Sequence, residues 1–316
     1  MQSPFHKSVM ALLCWAILLL SACKAETPRP PQKSPEQIER ERQRAAREAA
    51  EIEAEARAQA DSIFRAATGQ EPPGSSRRPA AETSGPAAAQ TAGGLEIPVY
   101  QSSRGGQVIA HTGFTLSYDA DFKTPQWVGW VLTAERANGS CPRYDKFQPD
   151  PAVRGAKAYT KDYTRSGYDR GHIAPAGDMK WNAQAMRESF YMSNICPQNQ
   201  NLNRGDWKDL EELEREWATR RGTLAIVAGP IYGSANPPRI GNNRVAVPDG
   251  FFKVILVQER RGPKAYAFVF RNEAGSRPLR AYQRTVDEVE ALLGMDFFAP
   301  LPDDVENRIE AEKPAL

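Results

Sequence analysis

Four short apolar runs constrain what this chain can fold into: WVGWVLT at 127–133, TLAIVAG at 223–229, FFKVILV at 251–257 and AYAFVF at 265–270. Runs this short, bounded by polar residues and rich in β-branched and aromatic side chains, suit strands. Two other stretches carry a helical period. RGDWKDLEELEREWATR (204–220) places Trp207, Leu210, Leu213 and Trp217 on one stripe, and residues 279–294 make a second helix. Strands and helices do not alternate regularly. The expectation is therefore an α+β fold, a mixed or antiparallel central sheet flanked by helices, rather than a doubly wound parallel sheet.

The folded domain is expected at 95–302, because what precedes it has another character. Lys7 followed by the apolar run Val9–Leu20 has the form of a signal segment, too short to span a bilayer comfortably. Leu20-Ser21-Ala22-Cys23 resembles a bacterial lipobox, in which Cys23 is lipidated and becomes the mature N-terminus; the plainer alternative is an ordinary signal peptide cut nearby. Lys24 stands where an Asp would mark inner-membrane retention, which favours an outer-membrane lipoprotein of the bacterial envelope. Residues 1–22 are then signal peptide, 23–33 tether, 34–68 a charged Ala/Glu/Arg-rich spacer helix and 69–94 a flexible linker. Ser34, Pro35 and Gln37 open the spacer as a capping box. It lacks a sustained heptad, so a solvated helix is preferred to a coiled coil. Residues 303–316 form an acidic tail.

The net charge of +2 hides an asymmetry. Residues 95–280 hold 26 Lys and Arg against 19 Asp and Glu, whereas 281–316 hold 3 against 9. A basic body suits an anionic ligand. Of the four cysteines, Cys14 leaves with the signal and Cys23 carries lipid. Cys141 and Cys196 remain, and in an oxidising compartment they are expected to form a disulfide; the alternative is two separate buried thiols.

Only three histidines occur, and His172 lies within GYDRGHIAPAGDM (167–179). Cleaving a phosphodiester needs a general base of near-neutral pKa and positive charge for the phosphoryl oxygens, supplied by arginine and a divalent cation. His172 suits the first task, although a lone histidine is more often structural. Its neighbours Asp169, Arg170 and Gly171 shift the balance. Asn203, where a helix opens, is either an N-cap or a neutral oxygen offered to Mg²⁺, which keeps most of its water. Asn203, Trp207, Glu211 and Arg215 are spaced by four and share a helical face. On that face Trp207 packs into the core, Glu211 can accept from metal-bound waters, and Arg215 can pair with Glu211 or with phosphate.

The ordered set YDRGHIAPAGDM … FYMSNICPQNQNLNRGDWKDLE resembles the DNA/RNA non-specific endonuclease family, whose sites are of the ββα-metal (His-Me finger) type. LSYDADFKTPQWVGWVL (116–132), VAGPIYG (227–233), VPDGFFKVIL (247–256) and GMDFFAPLP (294–302) extend the likeness over about residues 96–302. The resemblance implies a Mg²⁺-dependent nuclease acting on DNA and RNA, with Mn²⁺ as the alternative metal. It makes His172 the general base, Asn203 the direct metal ligand and Glu211 the carboxylate that orients metal-bound water. It gives Arg170, and less securely Arg143, to phosphate. Asn194 is to touch the substrate or support the site, and Arg215 remains a candidate for phosphate. Asp169 is to fix the loop by hydrogen bonding rather than ligate. If Arg143 and Asn194 both approach the site, Cys141 and Cys196, two residues from each, should be close. Two further readings stand beside this one: a non-catalytic nucleic-acid-binding or envelope-spacer lipoprotein that keeps the fold, and another phosphodiester or nucleotide substrate at the same site.

Overall fold

All four apolar runs are strands, and they occupy the middle of a single seven-stranded sheet. In chain order the strands are β1 (Val99–Tyr100), β2 (Gln107–Ala110), β3 (Thr115–Asp119), β4 (Thr124–Leu132), β5 (Asp169–His172), β6 (Ile195–Gln198), β7 (Thr223–Ile231), β8 (Arg239–Ile240), β9 (Val245–Ala246), β10 (Gly250–Glu259), β11 (Gly262–Arg271), β12 (Gln283–Arg284) and β13 (Met295–Asp296). The sheet runs β12-β11-β10-β7-β4-β3-β2. Every neighbouring pair is antiparallel, so the sheet is antiparallel throughout. This computed structural model describes residues 94–100 and 105–316, all within the second of two compact units, Met1–Glu48 and Ala49–Leu316. The signal segment, Cys23, the tether, the spacer helix and nearly all of the linker lie outside the described residues.

Alternation along the central strands separates two cores. In β10, Phe251, Ile255 and Val257 face one side, while Phe252, Val254 and Leu256 face the other. Successive side chains of a strand point to opposite faces, so near-continuous apolar runs mean that both faces are covered. The helices do the covering: α1 (Ala134–Ala137), α2 (Ala183–Ser189), α3 (Gln200–Arg204), α4 (Asp206–Arg220), α5 (Val286–Leu293) and α6 (Asp303–Glu310). Trp207, Leu210 and Trp217 of α4 pack on the first face. Val286, Val289 and Leu292 of α5 and Ile309 of α6 pack on the second. Each such fully buried side chain contributes about 1.5–3 kcal/mol relative to exposure.

Three sequence expectations need correction. The helix at 204–220 is two helices, broken at Gly205, whose ψ of −114° leaves the helical region and whose added Cβ would come within 2.7 Å of the Asn201 carbonyl. The helix at 279–294 is a 3₁₀ turn over Leu279–Ala281, then β12, then α5. A Thr285/Glu288 capping box starts α5, and Gly294 at φ +65° ends it. The acidic tail is not separate from the domain, since residues 303–310 form α6 and bury Ile309.

Candidate active site

Two strands and a helix build the site. β5 carries the residues Asp-Arg-Gly-His and pairs antiparallel with β6, with Asp169 opposite Gln198, Gly171 opposite Cys196 and His172 opposite Ile195. β6 then runs through Asn199 into α3. Asn199 is the helix cap, its side chain accepting from the Asn201 and Leu202 amides, so Asn203 is not the N-cap and sits inside α3. Asn272 pins the junction. Its Oδ1 accepts from the Asn199 amide at 2.7 Å, and its Nδ2 donates to the carbonyls of Pro197 at 3.0 Å and Pro248 at 2.9 Å. Glycine at 171 allows the close approach of β6, because a Cβ there would lie 2.6 Å from Gln198 Cβ.

The His172 ring stands between two phenylalanines. Phe190 meets it edge-on with centroids 4.8 Å apart, and Phe147 lies at 5.3 Å. Each phenylalanine also carries an arginine. Arg143 sits over Phe190 at 4.9 Å and Arg170 over Phe147 at 4.5 Å. The imidazole is thus held in an aromatic slot with a guanidinium on the outer ring of each wall. Nε2 is buried without a hydrogen-bond partner, while the residue as a whole is partly exposed. Burial, then the charges of Arg143 and Arg170, push the His172 pKa down to about 3, so the ring is neutral at physiological pH. Arg143 also donates to Asp145 at 2.6 Å, and both side chains are largely exposed.

Asn203 is tied to the same strand. Its Nδ2 donates to Asp169 Oδ2 at 3.0 Å, and Arg204 grips both oxygens of that carboxylate at 2.8 and 2.9 Å. Burial alone would raise the Asp169 pKa; the bonds from Arg204 and Asn203, with the charges of Arg204 and Arg170, hold it below the ordinary carboxylate value. Only the nitrogen of an amide can donate to a carboxylate, so this bond settles which atom of Asn203 is which. The oxygen remains as the acceptor. The carboxylate of Glu211, on α4, belongs to a half-buried residue and has no side-chain hydrogen bond among the described residues. A neutral oxygen with its nitrogen fixed, together with a carboxylate that no protein donor satisfies, fits a hard, well-hydrated divalent cation.

Beneath Glu211 lies a buried charge network that sequence reasoning missed. Lys253, fully buried on β10, contacts Glu214 at 3.1 Å and lies over the Trp207 ring at 4.3 Å and the Trp130 ring at 5.6 Å. Arg215 pairs with the buried Asp178 at 3.0 Å, and Asp178 also accepts from Trp130 Nε1 at 3.0 Å. Burial raises the Glu211 pKa to about 8; Lys253 opposes this, Asp178 and Glu214 add to it, and Arg215 opposes it. A signal was present: a lysine inside the apolar run FFKVILV can be buried only with a partner. Nothing comparable in the sequence pointed to the Phe147–Phe190 slot.

Several candidate roles change with these positions. Asn194 is sealed in the core at 0 % exposure, so it cannot touch a substrate. Its Oδ1 accepts from the Ala174 amide, and its Nδ2 donates to the carbonyls of Ala174 and Ser189, all at 2.9 Å, which braces the segment that follows His172. Arg215 pairs through Nη1 with Asp178 beneath the site, and among the described residues it makes no hydrogen bond to Glu211. Cys141 and Cys196 are free thiols and do not form the expected disulfide. Cys196 is packed into the core opposite Gly171, while the Cys141 amide is bound to the Lys180 carbonyl in another loop.

Hairpin, helix, imidazole and amide together define a site of the ββα-metal type. The chain belongs to the DNA/RNA non-specific endonuclease family, a metal-dependent one, whose profile matches residues 91–304. It is 38 % identical over 213 residues to the mitochondrial nuclease EXOG of Danio rerio, a match covering 62 % of each chain. It is 33 % identical over 211 residues to a nuclease of Nostoc sp., covering 63 % of this chain and 76 % of that protein. The chain thus spans less than two thirds of the length of the EXOG relatives it matches. Among solved structures, the EndoG/EndoGI complex, described for the mechanism of EndoG inhibition, is similar with a TM-score of 0.59. That match is 32 % identical and covers 63 % of this chain and 88 % of the other.

Proposed function

We propose that this protein is a Mg²⁺-dependent endonuclease that hydrolyses phosphodiester bonds of DNA and RNA with little sequence preference. The observation that carries the reading is the tie from Asn203 to the strand bearing His172, through Asp169 at 3.0 Å. Asn203 would hold the metal through its amide oxygen, with Glu211 accepting from metal-bound water. When bound, the metal supplies positive charge to the phosphoryl oxygens. His172 takes the proton of the attacking water at Nδ1, since Nε2 is buried. The slot formed by Phe147 and Phe190 keeps the ring neutral and oriented. A phosphodiester anion beside Arg143 and Arg170 offsets two of the causes that depress its pKa, so the base strengthens when substrate is present. Arg170 and Arg143 bind the phosphate, which carries no base information, so cleavage discriminates weakly among sequences and weakens with salt.

The test is plasmid and RNA digestion by purified protein with and without Mg²⁺. Replacing His172 or Asn203 by Ala should lower the rate at least about a hundredfold. Digestion at the unaltered rate by either variant would remove the reading. We also propose, from residues 1–24 alone, that the nuclease is lipid-anchored at Cys23 in the bacterial outer membrane. Radiolabelled palmitate should enter the protein but not its Cys23→Ala variant.

A further inference from the structure

The acidic C-terminal stretch has no role in the chemistry above, and its side chains gather in one place. On the sheet face opposite α4, oxygens of Asp287 and Glu290 on α5 and Glu310 on α6 all lie within 4.8 Å of one another. Glu310 is 6 % exposed, and its Oε1 is buried with no hydrogen-bond partner. Glu290 gives one oxygen to the Phe297 amide at 2.8 Å, which fixes the carboxylate and leaves the other oxygen. Glu306, one turn before Glu310, also has an unpartnered buried oxygen. Five carboxylates, counting Asp296, act on one another here. None of them is in an ion pair among the described residues.

We propose that Asp287, Glu290 and Glu310 form a second divalent-cation site, distinct from the Asn203 site, in which a Ca²⁺-like ion clamps α6 onto α5. Three carboxylates from two helices are hard oxygen ligands and match a hard cation. Ligands about 2.4 Å from Ca²⁺ lie up to about 4.8 Å apart across the ion, whereas Mg²⁺ at about 2.1 Å demands a tighter octahedron and more retained water. Asp287, the exposed member, leaves the open side for water. The ion would act on stability and leave the chemistry untouched.

The test uses the full chain carrying Asn203→Ala, so that the catalytic metal ligand is gone, stripped with EDTA and titrated with CaCl₂. One Ca²⁺ should bind by calorimetry, and saturation should raise Tm by about 5 °C. Adding Glu310→Gln should abolish both effects. Asp287→Asn, at an exposed position, should weaken Ca²⁺ affinity at least tenfold without lowering the Tm of the stripped protein, and it decides the question if the Glu310 variant does not fold. Absence of Ca²⁺ binding to the Asn203→Ala protein overturns the proposal. So does unaltered Ca²⁺ affinity in either carboxylate variant. Because no readout is nuclease activity, failure here leaves the proposed reaction standing.

Discussion

Asn203 Nδ2 donates to Asp169 Oδ2 at 3.0 Å, and this bond joins the helix carrying the proposed metal ligand to the strand carrying the proposed base. Asp169 is therefore a positioning residue. It fixes the Asn203 amide so that the oxygen stays free, and Arg204 secures it from outside.

Replacing Asp169 by Ala should raise the Mg²⁺ concentration needed for half-maximal cleavage by about 10–100-fold, the usual effect of losing a partner that orients a ligand. At saturating Mg²⁺ much of the rate should return. A Mg²⁺ titration of plasmid cleavage checks this, and an unchanged midpoint would show that the bond orients nothing.

Phe190 holds the edge of the His172 ring and supports Arg143. Phe190→Leu keeps an apolar side chain but removes the flat wall. It should cost about 1 kcal/mol of stability and lower kcat about tenfold, because small displacements of a catalytic group are felt strongly. Urea unfolding and single-turnover cleavage separate the two. A rate loss no larger than the unfolded fraction explains would leave the slot without a catalytic role.

Lys253 is the buried cation among Glu214, Glu211 and Asp178. Lys253→Met should destabilise the fold by about 3–5 kcal/mol, the cost of leaving a buried charge unpaired. It should also raise the Glu211 pKa above its value of about 8, since Lys253 is the larger of the two charges that oppose burial there, Arg215 being the other. Activity should then fall at pH 7 and recover partly at pH 9. A pH–rate profile parallel to that of the unaltered protein would exclude this coupling.

Stability should depend on pH in the direction set by raised carboxyl pKa values. Burial and neighbouring acids place Glu290 at about 8, Glu306 at about 7 and Glu310 at about 9 in the folded chain, against an ordinary 4.5. The unfolded chain loses these protons first. The contribution is therefore full below pH about 4.5 and is lost as pH rises through 7 to 9. The drop in Tm from pH 6 to pH 9 should be smaller in Glu310→Gln. Equal slopes in the two proteins would show that the cluster does not titrate in this window.

In the 24–316 chain, Cys141 should react with a thiol reagent in the native state while Cys196, buried and with its thiol pKa raised by burial, should not. Unfolding without reductant should expose two reactive thiols. A mass lower by two hydrogens, or no reactive thiol after unfolding, would restore the disulfide.

The strands were legible because WVGWVLT, TLAIVAG, FFKVILV and AYAFVF combine β-forming side chains with short length, and strands need nothing more local than that. The DRGH strand was legible as a motif, and its pairing with residues 195–198 was not. Pairing across more than twenty residues leaves no periodic mark. Asn194 shows the limit clearly. As a residue type in a motif it left open contact with substrate or support of the site, and three hydrogen bonds in a sealed pocket make it a brace. The charge of residues 303–316 dominates their composition and masks the helix at Asp303–Glu310, which one buried Ile309 is enough to dock.

By itself the sequence determined the sheet-forming segments, the helical stripe of Trp207, Leu210 and Trp217, and which side chains have chemistry to offer. Those follow from properties each residue carries into any surroundings: propensity, hydrophobicity and functional groups. Tertiary structure alone decided that Phe147 and Phe190 enclose His172, that Lys253 neutralises the floor under Glu211, that the thiols stay apart and that the C-terminal acids converge. Those depend on which groups are brought together and how much water is excluded between them, and dielectric and distance are properties of the folded whole.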